Sequence, residues 1–301
     1  MRAFRTDTFP LPLPAGHRFP LGKYARLIER IERSELNGRV RLELAPTIDD
    51  PELLTVHDPA YVRRVVEGAL RPEEIRRIGF PWSPELVERS RRSVGGTVAA
   101  CRAALAEGCG FNLAGGTHHA FADRGEGFCV FNDAAVAARV AQRDLGVRRV
   151  AILDLDVHQG NGTAATFRND STVFTLSIHG ADNFPFRKEP GDLDVALEDG
   201  TGDDRYLEGL ARALPSAIDT FRPDLAIYLA GADPYVADRY GRLALTKDGL
   251  ARRDRAVFEA CARAAIPVAV ALAGGYSPDL DDICDIHLAT LRAAVAIGVK
   301  S

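Results

Sequence analysis

The sequence predicts an α/β fold, a parallel sheet flanked by helices on both faces, in a single domain over 1–301. Short apolar, β-branched runs recur between longer stretches of helical period. Within those runs the apolar residues are consecutive rather than alternating, the pattern of strands buried on both faces. No repeat or linker divides the chain, and 46% hydrophobic residues are ample for one core.

The elements follow in order. The first 80 residues, with their prolines and short amphipathic pieces such as GKYARLIERIERSEL, are expected to form an elaboration packed on the same core. RVRLEL (39–44) reads as a strand. Ser83 before Pro84 and Glu85 reads as an N-cap with proline at the first helical position, opening a helix that continues through LVERSRRSVGGTVAACRAALAEG. Further strands are expected at GFNLAGG (110–116), VRRVAILDLD (147–156), TVFTLSIHG (172–180), DLAIYLAGAD (224–233) and PVAVALAGGY (267–276). Thr246 caps the helix KDGLARRDRAVFEACARAA in the manner of Ser83.

A net charge of −4 without a basic block argues against nucleic acid as a partner. The five cysteines, Cys101, Cys109, Cys129, Cys261 and Cys284, include no CxxC pair, so the expectation is a reducing, cytoplasmic setting with neither a disulfide framework nor a thiolate zinc site. Prolines stand where a signal peptide would have its apolar segment. No apolar run approaches the roughly 20 residues of a membrane span.

In open parallel sheets, ligands bind beyond the carboxyl ends of the strands. Here those ends are polar: Thr117-His118-His119, Asp154-x-Asp156-x-His158, Ser177-x-His179, Asp233 and Tyr276. Period-two spacing puts Asp154, Asp156 and His158 on one side of an extended chain. Two close carboxylates repel in a low dielectric, and a divalent cation relieves them. Asp and His donors without thiolate suit Zn²⁺ or Fe²⁺, and Asp233 as third ligand leaves positions open for catalysis. The alternative is that Asp154 and Asp156 are first-turn acids of the next helix. His118 and His119 could move protons around a metal-acidified water, or be packed core histidines. The Tyr276 hydroxyl could donate to a developing oxyanion, or the ring could pack under the last helix.

Three segments imitate other sites. GNGTAA (160–165) matches a dinucleotide fingerprint, with Asp182 about 20 residues on, but would set Asp154 and Asp156 against a pyrophosphate. DLDVALEDGTGDD has Leu197 where a calcium loop needs glycine. In PDLDDICDIH, Asp281, Asp282 and Asp285 are expected to complement a helix dipole, and His287 to be structural.

GGTHHAFADRGEGFCVFND, DLDVHQGNGTAATF, LSIHG, LAGADPY and LAGGY, in this order, resemble the zinc-dependent histone deacetylase family with its arginase-like fold, over roughly residues 50 to 300. HDPAYV (57–62) is similar to its N-terminal signature. The resemblance implies Zn²⁺ on Asp156, His158 and Asp233, and His118 and His119 around the attacking water with Asp154 behind His118. It further implies Tyr276 on the substrate carbonyl and an acyl-lysine channel between Gly127, Phe128 and, opposite, Phe186. Structural K⁺ is implied at an inner site of Asp154, Asp156, His158, Ser177 and Ile178, and at an outer one including Phe167, Asp170 and Val173. Asn161 stands where many members have a second aspartate behind the second histidine, which resembles the class IV branch and its bacterial relatives; His119 is then the more easily neutral imidazole and the expected base. Ala273 replaces a frequent third glycine before GGY and is expected to reshape the channel floor.

The expected activity is hydrolysis of acyl groups, acetyl or long-chain, from the ε-amine of lysine. Class IV enzymes are associated with long fatty acyl groups as well as acetyl. Acetylpolyamines or other small amides, a ureohydrolase of the same fold, a silent acyl-lysine binder and an NAD-dependent oxidoreductase are the competing readings. The ureohydrolase would need further aspartates for a second metal where LAGADPY has one, and the silent binder could dispense with His118, His119 and Tyr276. Acyl length, physiological substrate, the metal used in the cell and oligomeric state stay open.

Overall fold

The computed structural model describes residues 1–298. Its strands are β1 (Arg2–Arg5), β2 (Arg41–Leu44), β3 (Cys109–Asn112), β4 (Val150–Asp154), β5 (Val173–Gly180), β6 (Leu193–Leu197), β7 (Leu225–Leu229) and β8 (Val268–Ala271). They form one sheet in the order β2-β1-β3-β8-β7-β4-β5-β6, and every pairing is parallel. The helices are α1 (Gly22–Glu32), α2 (Asp50–Leu53), α3 (Pro59–Val66), α4 (Pro72–Ile78), α5 (Pro84–Glu107), α6 (Asp133–Asp144), α7 (Asn161–Thr166), α8 (Asp203–Pro215), α9 (Lys247–Arg263) and α10 (Leu280–Ile297).

Alternation along each strand divides the interior into two cores. In β4, Ala151 and Leu153 face the side covered by α1, α8, α9 and α10, whereas Val150 and Ile152 face α3, α5 and α6. Both expected caps form: Ser83 accepts from the Leu86 amide and Thr246 from the Gly249 amide.

The structure corrects the reading of the N-terminal region. β1 lies inside the sheet between β2 and β3, so residues 1–80 supply part of the sheet as well as helices around it. RAFR carries no periodic signal because only Ala3 and Phe4 are buried; Arg2 pairs with Glu107 and Arg5 with Asp7. β6 is the second strand absent from the sequence reading. It is an edge strand whose Leu193, Val195 and Leu197 turn inward while Asp194 is exposed, so charge masks the apolar alternation.

β3, β8, β7, β4 and β5 are consecutive neighbours, although the chain passes from β3 to β4 over two strands it makes later. Their carboxyl ends therefore meet where the strand order switches.

Candidate active site

β4 ends at Asp154, and the chain leaves the sheet through Asp156 and His158. Asp233 follows the adjacent β7, and Gly274 and Tyr276 follow β8. One donor atom each of Asp156, His158 and Asp233 lies within 4.8 Å of the others. His158 Nδ1 is 2.9 Å from Asp156 Oδ1 and 3.2 Å from Asp233 Oδ2, and all three side chains are buried. Asp156 also accepts from the Gly274 amide at 2.8 Å, and Asp233 Oδ1 from the Val157 amide at 3.0 Å.

Burial lowers the basicity of His158, but Asp156 and Asp233 outweigh it and raise the imidazole to about 10. Asp233 moves up, first through burial and then through repulsion by Asp156. Two buried carboxylates thus demand a cation between them. Asp233 Oδ2, at 0% residue exposure, accepts no hydrogen bond of proper geometry among the described residues, its contact with His158 Nδ1 being an ion pair at 3.2 Å. A Cβ on Gly274 would stand 1.8 Å from that oxygen and 2.5 Å from Asp156 Oδ2, so only glycine admits both carboxylates. Carboxylate and imidazole donors, one oxygen without a hydrogen bond, fit a borderline divalent ion such as Zn²⁺ or Fe²⁺.

A layer beneath holds this geometry, and sequence reasoning missed its centre. Arg253 is wholly buried on α9 and donates to the carbonyls of Leu155 and Gly231 at 3.1 and 2.7 Å, immediately beside the metal-ligand candidates. Asp254 neutralises it and accepts from Tyr228 and Thr290 hydroxyls. An arginine in a helix of otherwise ordinary amphipathic pattern gives no local sign of such burial.

The tandem histidines sit in the loop after β3, rings 4.1 Å apart. His118 Nδ1 meets Asp154 Oδ2 at 2.6 Å, and His119 Nδ1 meets Asn161 Oδ1 at 2.8 Å. Burial lowers both, but Asp154 and Asp156 lift His118 to about 9. His119 stays well below its ordinary value, because burial and the neighbouring His118 and His158 act together and outweigh the Asn161 amide and the more distant charge of Asp156. The two imidazoles therefore differ in proton affinity, His118 holding a proton more tightly than His119.

A cavity of about 700 Å³ opens onto this cluster. Gly127 and Phe128 form one wall, both at positive φ (58° and 65°). A Cβ on Gly127 would approach His119 Cδ2 to 2.8 Å and Phe184 Cε1 to 3.1 Å. Phe184 lines the cavity deeper in, its ring 4.9 Å from that of His119. Phe186, expected as the opposite wall, also lines the cavity but is 84% exposed at its mouth, its ring 6.3 Å from that of Phe184. The two differ by two residues in a loop without secondary structure, where no period tells inward from outward.

The Tyr276 ring is 6.1 Å from Phe128, 6.5 Å from His158 and 5.0 Å from Tyr240, and its amide donates to Asp238 at 2.6 Å. It lines the cavity, as does Ala273. Lys23, also unforeseen, is buried with Nζ 3.2 Å from the Gly275 carbonyl and 5.4 Å from the Tyr276 ring.

Of the expected monovalent-cation residues, Asp154 and Ser177 are register partners across β4 and β5, with Ile178 buried beside them. Phe167, Asp170 and Val173 form a turn closed by two backbone hydrogen bonds, and Arg139 pairs with the Asp170 carboxylate at 2.6 Å. The dinucleotide imitation dissolves: a Cβ on Gly160 would meet Asp154 Oδ2 at 2.3 Å and one on Gly162 the Ala120 carbonyl oxygen at 2.3 Å, so these glycines seat the histidine loop. Asp281 binds Arg26, Asp282 and Asp285 bind Lys247, and His287 is buried. All five cysteines are buried and unbridged. No helix among the described residues is long and apolar enough to cross a membrane.

The histone deacetylase domain family matches residues 17–291. An uncharacterised protein of Picosynechococcus sp. is 43% identical over 94% of each chain. A histone deacetylase-like amidohydrolase of Pseudomonas aeruginosa is 32% identical over 94% of this chain and 80% of its own. The crystal structure of the HDA15 HD domain superposes with a TM-score of 0.81 at 24% identity, over 99% of this chain and 92% of the other.

Proposed function

The chain belongs to the histone deacetylase family, and from that membership we propose a metal-dependent hydrolase that removes acyl groups from the ε-amine of lysine. The observation that carries the reading is the Asp156–His158–Asp233 cluster facing two histidines of opposite proton affinity.

Zn²⁺, or Fe²⁺ in its place, held by Asp156, His158 and Asp233 would polarise the acyl carbonyl and acidify a water. Gly127, Phe128 and Phe184 enclose the acyl-lysine stem and exclude bulk solvent. His119 Nε2 takes the proton of the attacking water, since its Nδ1 is committed to Asn161. His118, charged against Asp154, gives a proton to the departing amine. The Tyr276 hydroxyl donates to the carbonyl oxygen as it gains charge.

Asn161 supports a placement near the class IV branch. Asp154 and Ser177 side by side offer the hard oxygens a structural potassium takes, with Asp156, His158 and Ile178 completing the inner set. At the outer trio Arg139 already holds the only carboxylate, so the proposal is confined to the inner set. Among the described residues the Asp156–His158–Asp233 group is the one cluster of three that could hold an ion, which favours a single-metal amidohydrolase over a ureohydrolase.

The test is release of lysine amine from matched acetyl-lysine and myristoyl-lysine peptides, with and without a chelator. Chelator-sensitive turnover is expected, and the ratio of rates gives the acyl length. Turnover indifferent to chelator after full metal removal overturns the metal mechanism; no turnover on either peptide by zinc-loaded protein overturns the acyl-lysine substrate.

A further inference from the structure

The mouth of the channel differs in charge from the chain as a whole. Acids outnumber bases overall, 42 to 38, yet Arg18, Arg77, Arg239 and Arg242 line the opening and are exposed. Beyond the metal-ligand candidates, the lining acids are Asp182, exposed, and Glu126, which accepts from Asn161 at 2.7 Å. Arg242 is paired with Asp199. Among the described residues Arg18, Arg77 and Arg239 have no ion pair and no side-chain hydrogen bond, whereas most of the arginines elsewhere in the chain are engaged.

Their backbones are tied to different walls. The Arg77 carbonyl accepts from the Gly127 amide at 3.0 Å. Arg239 precedes Tyr240, whose ring abuts Tyr276. Arg18 follows His17, whose ring is 6.0 Å from Phe128. Three unpaired guanidinium groups thus surround one entrance bounded by low-dielectric aromatic walls, which focuses their field outward. Their planar forks match carboxylates.

Resting on the acyl-lysine reading above, we infer that the mouth selects acyl-lysine in an acidic sequence context, through Asp or Glu side chains flanking the modified residue and meeting Arg18, Arg77 and Arg239. The same field disfavours polycationic amides, which sets acylated polyamines among the poor substrates.

The test uses two acetyl-lysine peptides of equal length, one flanked by glutamates and one by lysines, and a short capped acetyl-lysine without flanks. With zinc-loaded full chain at low salt, the acidic peptide should lead in kcat/KM by about tenfold, and the lead should shrink toward unity near 0.5 M salt as screening grows. Fluorescence anisotropy of the labelled peptides should give the same order. The triple variant R18E/R77E/R239E should invert it, and the salt series on the unaltered chain stands if that variant does not fold. Equal kinetics and binding for the two peptides at low salt overturn the inference while turnover of the capped substrate keeps the acyl-lysine reading. An acidic preference in binding with no turnover of any of the three upholds the mouth and overturns the reaction.

Discussion

Asn161 Oδ1 lies 2.8 Å from His119 Nδ1, and the same amide donates through Nδ2 to Glu126 at 2.7 Å. Glu126 accepts only, so the amide is oriented with its oxygen toward the imidazole. His119 therefore carries its proton on Nδ1 and its lone pair on Nε2. Asn161→Asp puts a carboxylate behind the base and raises its pKa, so more alkaline solution is needed to free the lone pair. The acidic limb of the kcat/KM profile should move up by about 1 pH unit. A limb that stays in place excludes His119 as the base.

Gly274 contributes no ligand atom, yet its missing side chain makes the room that Asp156 and Asp233 occupy. Gly274→Ala should reduce bound zinc per chain, measured by elemental analysis, by at least about tenfold. The rise in Tm that zinc gives the unaltered protein should vanish with it. A variant with full zinc content shows that the carboxylates need not stand where they do.

Tyr276→Phe removes a hydroxyl and leaves the ring packing against Phe128 and Tyr240. The expected result is a loss in kcat of about 10²–10³ with KM and zinc content little changed. A kcat within twofold of the parent makes the residue a wall of the channel.

His57 is buried, with Nδ1 at the Phe121 carbonyl and Nε2 accepting from the Asn132 amide. Burial lowers it to about 4 in the folded chain, against about 6.5 unfolded. Below pH 6.5 the unfolded state binds the extra proton, so the stability this group contributes is complete above that pH and is lost as pH falls toward 4. At pH 5 the loss is about 2 kcal/mol. Unfolding free energies from urea titrations at pH 7 and pH 5 should show a drop smaller by that amount in His57→Gln; an equal drop in both assigns the acid sensitivity to other groups.

Much of the candidate site was legible because its parts are local. Asp154, Asp156 and His158 announce themselves by ending an apolar strand in alternating donors, and His118-His119 by adjacency after glycines. Phe184 was not legible, since in an irregular loop it reads like Phe186. β1 and β6 hid for a related reason, being short segments whose flanking charges are neutralised by residues far along the chain or turned to solvent.

The chain alone established the alternation of buried strands and capped helices, the donor types at the strand ends, and the amide in place of a carboxylate at Asn161, since composition and period are properties of neighbouring residues. The tertiary structure decided which of those ends meet, that Arg253 is buried beneath them, that Gly274 leaves the space two carboxylates need, and that three unpaired arginines share one entrance. These depend on strand order and loop path across a hundred residues or more, where the energy of a contact is set by what the fold places opposite and not by what precedes it in sequence.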